Sequence, residues 1–169
     1  MTQIDDVVYA VRSNSSIIMT YTADKLRPFG KDINIEGMTK PRDIVACRND
    51  RHLYVADCDC CIWKVSAYDH SSVNWLTIHP SEDGFLVTKL SLTSRRLLVT
   101  SRRPPTLRQY DTTNRELSCV VKLPQCVVEL YHAVETRNDT FVVGHHGTSD
   151  SPLEHAVSEL FRFRHVLQH

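Results

Sequence analysis

Short apolar runs, rather than long helical stripes, recur along this chain of 169 residues. The runs are rich in Val, Ile, Leu, Tyr and Thr, and polar clusters such as Arg48–Asp50 and Asp111–Asn114 separate them. Short β-branched runs bounded by turn residues at intervals of about 8 to 12 residues are typical of an all-β fold. The pattern therefore predicts many short antiparallel strands.

The outline of residues 43–69 recurs elsewhere in the chain. The run Leu53–Ala56 corresponds to Leu97–Thr100, and Ile62–Val65 corresponds to Leu107–Tyr110. A further copy of the first run is Phe141–Gly144, and Ile17–Thr20 is an earlier copy of the second. A period of about 44 to 45 residues with four runs per repeat is that of a four-stranded propeller blade.

We therefore predict one domain over residues 1–169, an incomplete β-propeller of four-stranded antiparallel blades. The length holds about three and a half blades at this period. The first long run, Val8–Ala10, corresponds to the second strand of a blade. We therefore expect the chain to begin in the middle of a blade. A β-sandwich with strands of similar length is the alternative. The predicted blades are residues 4–37 (partial), 40–80, 85–124 and 128–165.

The clearest repeat also carries a family resemblance. Pro41, Ile44, Leu53–Asp57, Ile62 and Val65 follow the order of an NHL repeat, and this stretch resembles one. The resemblance implies a six-bladed propeller that acts as a non-catalytic binding scaffold. Such propellers are often the substrate-recognition part of tripartite-motif ubiquitin ligases, and some bind RNA. The next two repeats depart from the pattern at the position of the aspartate, where Ser101 and His145 stand.

Composition and charge narrow the class of partner. Twenty basic and twenty acidic residues cancel, so net charge does not point to nucleic acid or to an anionic membrane. No apolar run approaches the roughly 20 residues that a membrane-spanning helix needs. The first residues lack the charged and apolar regions of a secretory signal, so we expect a cytoplasmic protein with reduced cysteines. We predict a protein or peptide partner and no cofactor.

The loops between second and third strands gather the unusual side chains. In a blade whose first strand is innermost, these loops and the connections between blades open on one face. Loops on such a face are where scaffolds commonly carry binding residues. The predicted partner contacts are Asp59, Arg102, Arg103, His145 and His146.

Cys58, Cys60 and Cys61 in one of these loops allow three interpretations. They are weak candidates for a metal site, because zinc usually takes two separated cysteine pairs. A redox role needs a nearby positive charge. The third interpretation, and the one that we favour, is a tight turn filled by small residues with partly buried sulfur.

Two other functions remain as alternatives. The first is RNA binding, which needs convergent basic residues. The second is a metal-dependent hydrolase of the six-bladed lactonase type, for which Asp43, Glu135 and Asn138 lie on or near inner strands. No motif for nucleophilic catalysis, phosphate binding or dinucleotide binding is present, so we predict a non-enzyme. The arginines that could contact RNA are Arg95, Arg96, Arg102, Arg103 and Arg108.

Overall fold

The structure is a computed structural model of the chain. It describes residues 1–58, 60–78, 84–93, 95–102, 104–123, 127, 129–137, 140–146 and 157–162. For Lys122, Arg137, His146 and Val157–Arg162 the description covers the backbone alone. The chain forms two compact units, residues 1–78 and 79–169.

Unit 1 contains two four-stranded antiparallel sheets among its described residues. In each sheet the strands lie side by side in chain order. Sheet 1 consists of β1 (Thr2–Ile4), β2 (Val7–Val11), β3 (Ile17–Thr22) and β4 (Ile33–Asn34). Sheet 2 consists of β5 (Pro41–Cys47), β6 (His52–Asp57), β7 (Cys61–Ser66) and β8 (Ser72–Thr77).

Unit 2 repeats the arrangement within its described ranges, with four strands in sheet 3 and three in sheet 4. Sheet 3 consists of β9 (Val87–Leu92), β10 (Arg96–Ser101), β11 (Thr106–Asp111) and β12 (Leu117–Lys122). Sheet 4 consists of β13 (Glu129–Arg137), β14 (Thr140–His146) and β15 (Val157–Arg162). The prediction of an all-β chain of antiparallel blades is confirmed.

The prediction that the chain begins in the middle of a blade is wrong. β1 precedes the first long apolar run and pairs with β2, with Thr2 opposite Tyr9 and Ile4 opposite Val7. The pattern failed to predict this strand because it has three residues, of which Ile4 alone is buried. Such a short strand has no alternation to detect.

Sheets 1 and 2 pack face to face through an apolar cluster. Leu53 and Val55 of β6, both inaccessible to solvent, belong to a cluster that also contains residues from all the strands of sheet 1. Tyr54 and Ala56 point to the other side of β6 and are equally buried. A strand buried on both faces reads as a continuous apolar run, which is why this repeat is the clearest in the sequence. The cluster consists of Ile4, Tyr9, Ile18, Ile33, Ile35, Met38, Ile44, Leu53, Val55 and Val65.

Both tryptophans lie in unit 1, and Trp63 packs against the apolar cluster that sheets 1 and 2 share. Its ring lies 3.3 Å from the point where a Cβ on Gly37 would stand, in the connection between the two sheets. Gly37 also has a φ of +89°, so a side chain there would be both strained and crowded. Trp75 is buried and meets Tyr54 edge to face, with ring centroids 5.2 Å apart.

Sheets 3 and 4 pack in the same manner in unit 2. β13 lies against β9 and β10. The shared apolar cluster consists of Leu98, Leu107, Val121, Leu130, Ala133, Phe141 and Val143.

The turn between third and fourth strands is built alike in sheets 1, 2 and 3. The first residue of each turn accepts a hydrogen bond through its carbonyl from the N–H four residues later, over 3.0 to 3.1 Å. That later residue has a left-handed φ between 50° and 67°. The paired positions are Thr22 with Leu26, Ser66 with His70, and Asp111 with Arg115. Their separations of 44 and 45 residues are the period seen in the sequence.

Nothing in the described part of the chain is a helix long and apolar enough to cross a membrane.

Candidate protein-interaction face

In unit 1 the loop between second and third strands and the connection between sheets lie at the same end. Backbone hydrogen bonds join these segments from one to the next. Residues that reach solvent at this end include Arg12, Asn14, Glu36, Lys40 and Arg42. The joining bonds run from Ile35 N–H to Ser16 O (2.8 Å), from Cys58 N–H to Lys40 O (3.1 Å) and from Ile78 N–H to Cys60 O (2.7 Å). We call this end the loop face of unit 1.

Asp57 is the residue that anchors the loop face of unit 1. It ends β6 and is 1% exposed. Its carboxylate accepts the backbone N–H groups of Thr39 and Lys40, each over 2.9 Å. A buried carboxylate that accepts two N–H bonds compensates much of its desolvation cost. The aspartate of the repeat therefore holds the incoming connection in place.

Ser101 has the same anchoring role in sheet 3. It ends β10 and is inaccessible to solvent, and its hydroxyl accepts the backbone N–H of Leu86 over 3.2 Å. Leu86 immediately precedes β9, as Lys40 immediately precedes β5. The replacement of aspartate by serine in this repeat keeps the acceptor and removes the charge, so the departure from the repeat pattern is local.

The cysteine turn closes β6 on β7 in three residues. Cys60 is 3% exposed and has a φ of +67°, whereas Cys58 and Cys61 are half-buried. The Arg42 guanidinium reaches this turn, with its Nε 2.9 Å from the sulfur of Cys58. Asn74 donates to the sulfur of Cys61 over 3.5 Å. Arg42 stands 16 residues before Cys58 and carries no motif, so the sequence interpretation missed this contact.

The described side chains contain no cluster of three or more His, Cys, Asp or Glu residues able to hold a metal ion. Asp59, which belongs to the cysteine turn, lies outside the described residues.

Arg102 in unit 2 has partners within its own unit. It follows β10, and its Nε donates to the carboxylate of Glu129 over 3.0 Å, in an ion pair that a second guanidinium nitrogen also makes. The guanidinium carbon lies 5.3 Å from the ring centroid of Tyr131. The Glu129 side chain is 9% exposed and that of Arg102 is 49% exposed. Arg102 therefore joins sheet 3 to sheet 4 and still presents part of its side chain to solvent.

A second polar contact between these sheets involves Glu135. Gln109 donates to its carboxylate over 2.7 Å, and Arg96 lies 3.5 Å from it. Arg108 lies over the ring of Phe85, 4.2 Å from the centroid. The arginines considered for RNA binding thus include three with partners inside unit 2. Glu135, considered for a hydrolase centre, is held by sheet 3, and Asn138 lies outside the described residues.

The other predicted partner contacts are placed differently. His145 is 2% exposed and stands opposite Leu130 in the ladder of β13 and β14. His146 ends β14, where the backbone alone is described, and Asp59 and Arg103 lie outside the described residues. The role of all five residues as partner contacts stays a prediction, with Arg102 the member shown to reach solvent.

Comparison with known proteins extends the description of the fold. The chain matches no family model and no curated protein. It is similar to the structure of U3-55K, with a TM-score of 0.66 and 16% identity over 83% of this chain and 40% of that one. It is also similar to the Neurospora crassa Pan2 WD40 domain, with a TM-score of 0.64 and 15% identity over 92% and 44% of the two chains.

A third similar chain comes from the mitotic checkpoint complex, with a TM-score of 0.63 and 9% identity over 85% and 44% of the two chains. At these identities the likeness shows the fold, and the fold is an incomplete β-propeller. The structures that it matches include WD40 domains, and the NHL type is not confirmed. The chain spans about two fifths of the length of the structures compared.

Proposed function

We propose that this chain is a non-catalytic scaffold that binds a protein or peptide through the loops that connect second to third strands and one sheet to the next. One observation carries the proposal. The turns between third and fourth strands follow one hydrogen-bond scheme in sheets 1, 2 and 3, whereas the loops between second and third strands differ in length and in side chains from sheet to sheet. Sheets that carry variable loops at one end are the usual design of a binding scaffold.

The charge pattern supports a protein partner over RNA. Arg96 and Arg102 each pair with a glutamate, so part of their charge is compensated within the unit. Phosphate binding draws its affinity from basic groups that the nucleic acid itself neutralises. A chain from a multiprotein assembly is among the similar structures. Substrate recognition within a ubiquitin ligase and a cytoplasmic location belong to the same proposal.

Site-specific photo-crosslinking tests the proposed end. A photoreactive residue would replace Asn14 at the loop face of unit 1 or Asn114 in the turn at the opposite end of sheet 3, both exposed. In cells that express the chain, we expect crosslinked protein from position 14 and little from position 114. Crosslinks from position 114 alone, or none from either, would contradict the proposal. RNA recovered from position 14 would favour the RNA alternative.

A further inference from the structure

Sheet 2 covers one face of sheet 1, and the opposite face of sheet 1 is also apolar. Tyr21 in β3 stands opposite Val8 in β2 and opposite Pro28 in the segment before β4. Ala10 stands opposite Met19 in the same ladder. Since cross-strand partners point to the same side of a sheet, these side chains share one face. We call it the second face of sheet 1, and it consists of Val8, Ala10, Ile17, Met19, Tyr21 and Pro28.

The second face of sheet 1 reaches solvent. Ile17 is 38% exposed and Pro28 is exposed, whereas Met19 and Tyr21 are half-buried. The hydroxyl of Tyr21 donates to the sulfur of Met19 over 3.4 Å, so this polar group has its partner within the face. None of the six residues belongs to the apolar cluster that sheets 1 and 2 share. An apolar face of a sheet is normally buried against another layer.

The repeat shows that this face is of the kind that packs against a sheet. Leu53 and Val55 of sheet 2 stand one repeat period after Val8 and Ala10 of sheet 1. Leu53 and Val55 belong to the cluster that joins sheet 2 to sheet 1. Sheet 2 therefore buries the face that corresponds to the second face of sheet 1.

The charge pattern favours a second copy of this chain as the occupant. The register adds Gln3 and Asn34 to the second face, so that none of the residues it places there is charged. A two-fold contact brings one patch against itself, and a patch without charges meets its own copy without repulsion. The whole chain carries twenty basic and twenty acidic residues, so two copies do not repel each other at long range either.

We propose that two copies of the chain associate through the second face of sheet 1, sheet against sheet around a two-fold axis. Face-to-face packing of sheets is the mode that the chain already uses between sheets 1 and 2 and between sheets 3 and 4. The contact uses the flat side of sheet 1 and not the connecting loops. It therefore does not depend on the function proposed above.

Sedimentation velocity of the full chain, over a roughly hundredfold range of concentration, tests the association. We expect the mass to rise from 19.4 kDa toward twice that value and to rise no further. Ile17→Glu should raise the dissociation constant at least about tenfold, because the carboxylate loses its water in the contact. A mass of 19.4 kDa at every concentration, or assembly beyond the dimer, would overturn the proposal.

Phe29→Glu is the matched control for Ile17→Glu. Phe29 is 48% exposed in the same sheet, and it points away from the second face because it follows Pro28. Circular dichroism verifies that both variants are folded, as expected for exposed positions. The control should associate like wild type. Equal weakening by the two substitutions would show that the second face is not the contact.

Photo-crosslinking between labelled copies tests the two-fold arrangement. A photoreactive residue replaces Ile17 in an unlabelled chain, which is mixed with an isotope-labelled chain, and peptides that join the two labels are sequenced. We expect the labelled peptide to come from residues 1–34, which contain sheet 1. Crosslinks to unit 2 of the second copy would show a head-to-tail contact and would overturn the two-fold assignment, as would the absence of crosslinks between copies.

Discussion

Single side chains at strand ends decide how the connections between sheets are held. Asp57 and Ser101 have different chemistry, yet each is buried and accepts backbone N–H groups from the segment that precedes the first strand of its sheet. What the repeat needs at this position is a buried acceptor. Charge adds strength to the bonds, because ionic acceptors bind N–H groups more tightly than neutral ones.

The first prediction compares these two anchors. Asp57→Ala leaves two backbone N–H groups without their acceptor, and we expect a loss of about 2–3 kcal/mol in the free energy of unfolding. Ser101→Ala removes one neutral bond and should cost about 1 kcal/mol. Urea denaturation of the full chain followed by circular dichroism measures both changes, because the signal comes from the backbone of both units. Asp6→Ala, an exposed residue, serves as the control. Equal losses for Asp57→Ala and Asp6→Ala would refute the anchoring role.

The second prediction concerns Asp69, in the turn between β7 and β8. Hydrogen bonds from Ser66 and Ser71 lower the pKa of Asp69 to about 2. Its ordinary value in an unfolded chain is about 3.9. Because the folded pKa is the lower one, the stabilisation is complete above about pH 4 and is lost as the pH falls toward 2.

Thermal unfolding between pH 6 and pH 2 measures this effect, at pH values that bracket the shift. Wild type should lose more stability on acidification than Asp69→Asn. Ser71→Ala should lie between the two, because it removes one of the bonds to the carboxylate. If Asp69→Asn and wild type follow parallel curves across this range, the bonds to Asp69 do not stabilise the fold.

At the scale of elements, the turn between third and fourth strands is the most regular part of the chain. Its fifth position is left-handed in sheets 1, 2 and 3, where Leu26, His70 and Arg115 stand in place of glycine. L-residues other than glycine pay about 1–2 kcal/mol for this conformation. The hydrogen bonds of the turn impose this left-handed conformation regardless of the side chain. The turn is therefore recognisable by its period and not by a glycine.

The third prediction follows from that strain. We expect His70→Gly to raise the free energy of unfolding by about 0.5–1 kcal/mol, since relief of strain is partly offset by the greater entropy of the unfolded glycine. Arg115→Gly should act similarly in sheet 3. Tyr68→Gly is the control, because position 68 does not have a positive φ and gains nothing from glycine. A gain at position 68 that matches the gain at 70 would show that strain is not the cause.

At the scale of the molecule, packing of sheet on sheet is the main source of stability. In unit 2 the apolar cluster between sheets 3 and 4 is flanked by two polar contacts, Arg102 with Glu129 and Arg96 with Glu135. The polar contacts are partly exposed, so they contribute less than apolar burial and chiefly select how the sheets meet.

The fourth prediction tests whether apolar burial stabilises unit 2. Phe141→Ala removes a ring that is 1% exposed in the cluster, and should cost about 3–5 kcal/mol. Val134→Ala is the control in the same sheet, since Val134 is 42% exposed and should change stability by less than about 1 kcal/mol. Chemical denaturation of the full chain measures both. A similar small effect for the two variants would show that the cluster does not hold sheets 3 and 4 together.

The strands and their period follow from the order of the residues, because apolar alternation and turn chemistry act over neighbouring residues. It was enough to predict an all-β chain of antiparallel blades, and among the described strands it missed β1, which has three residues. Tertiary structure alone decided which polar residues meet. Arg42 contacts Cys58, which stands 16 residues later in the chain, and Arg102 contacts Glu129, which stands 27 residues later. Such contacts depend on how strands and sheets stack, and no local pattern carries that information. For the same reason, the sequence placed His145 at a surface, whereas it is buried.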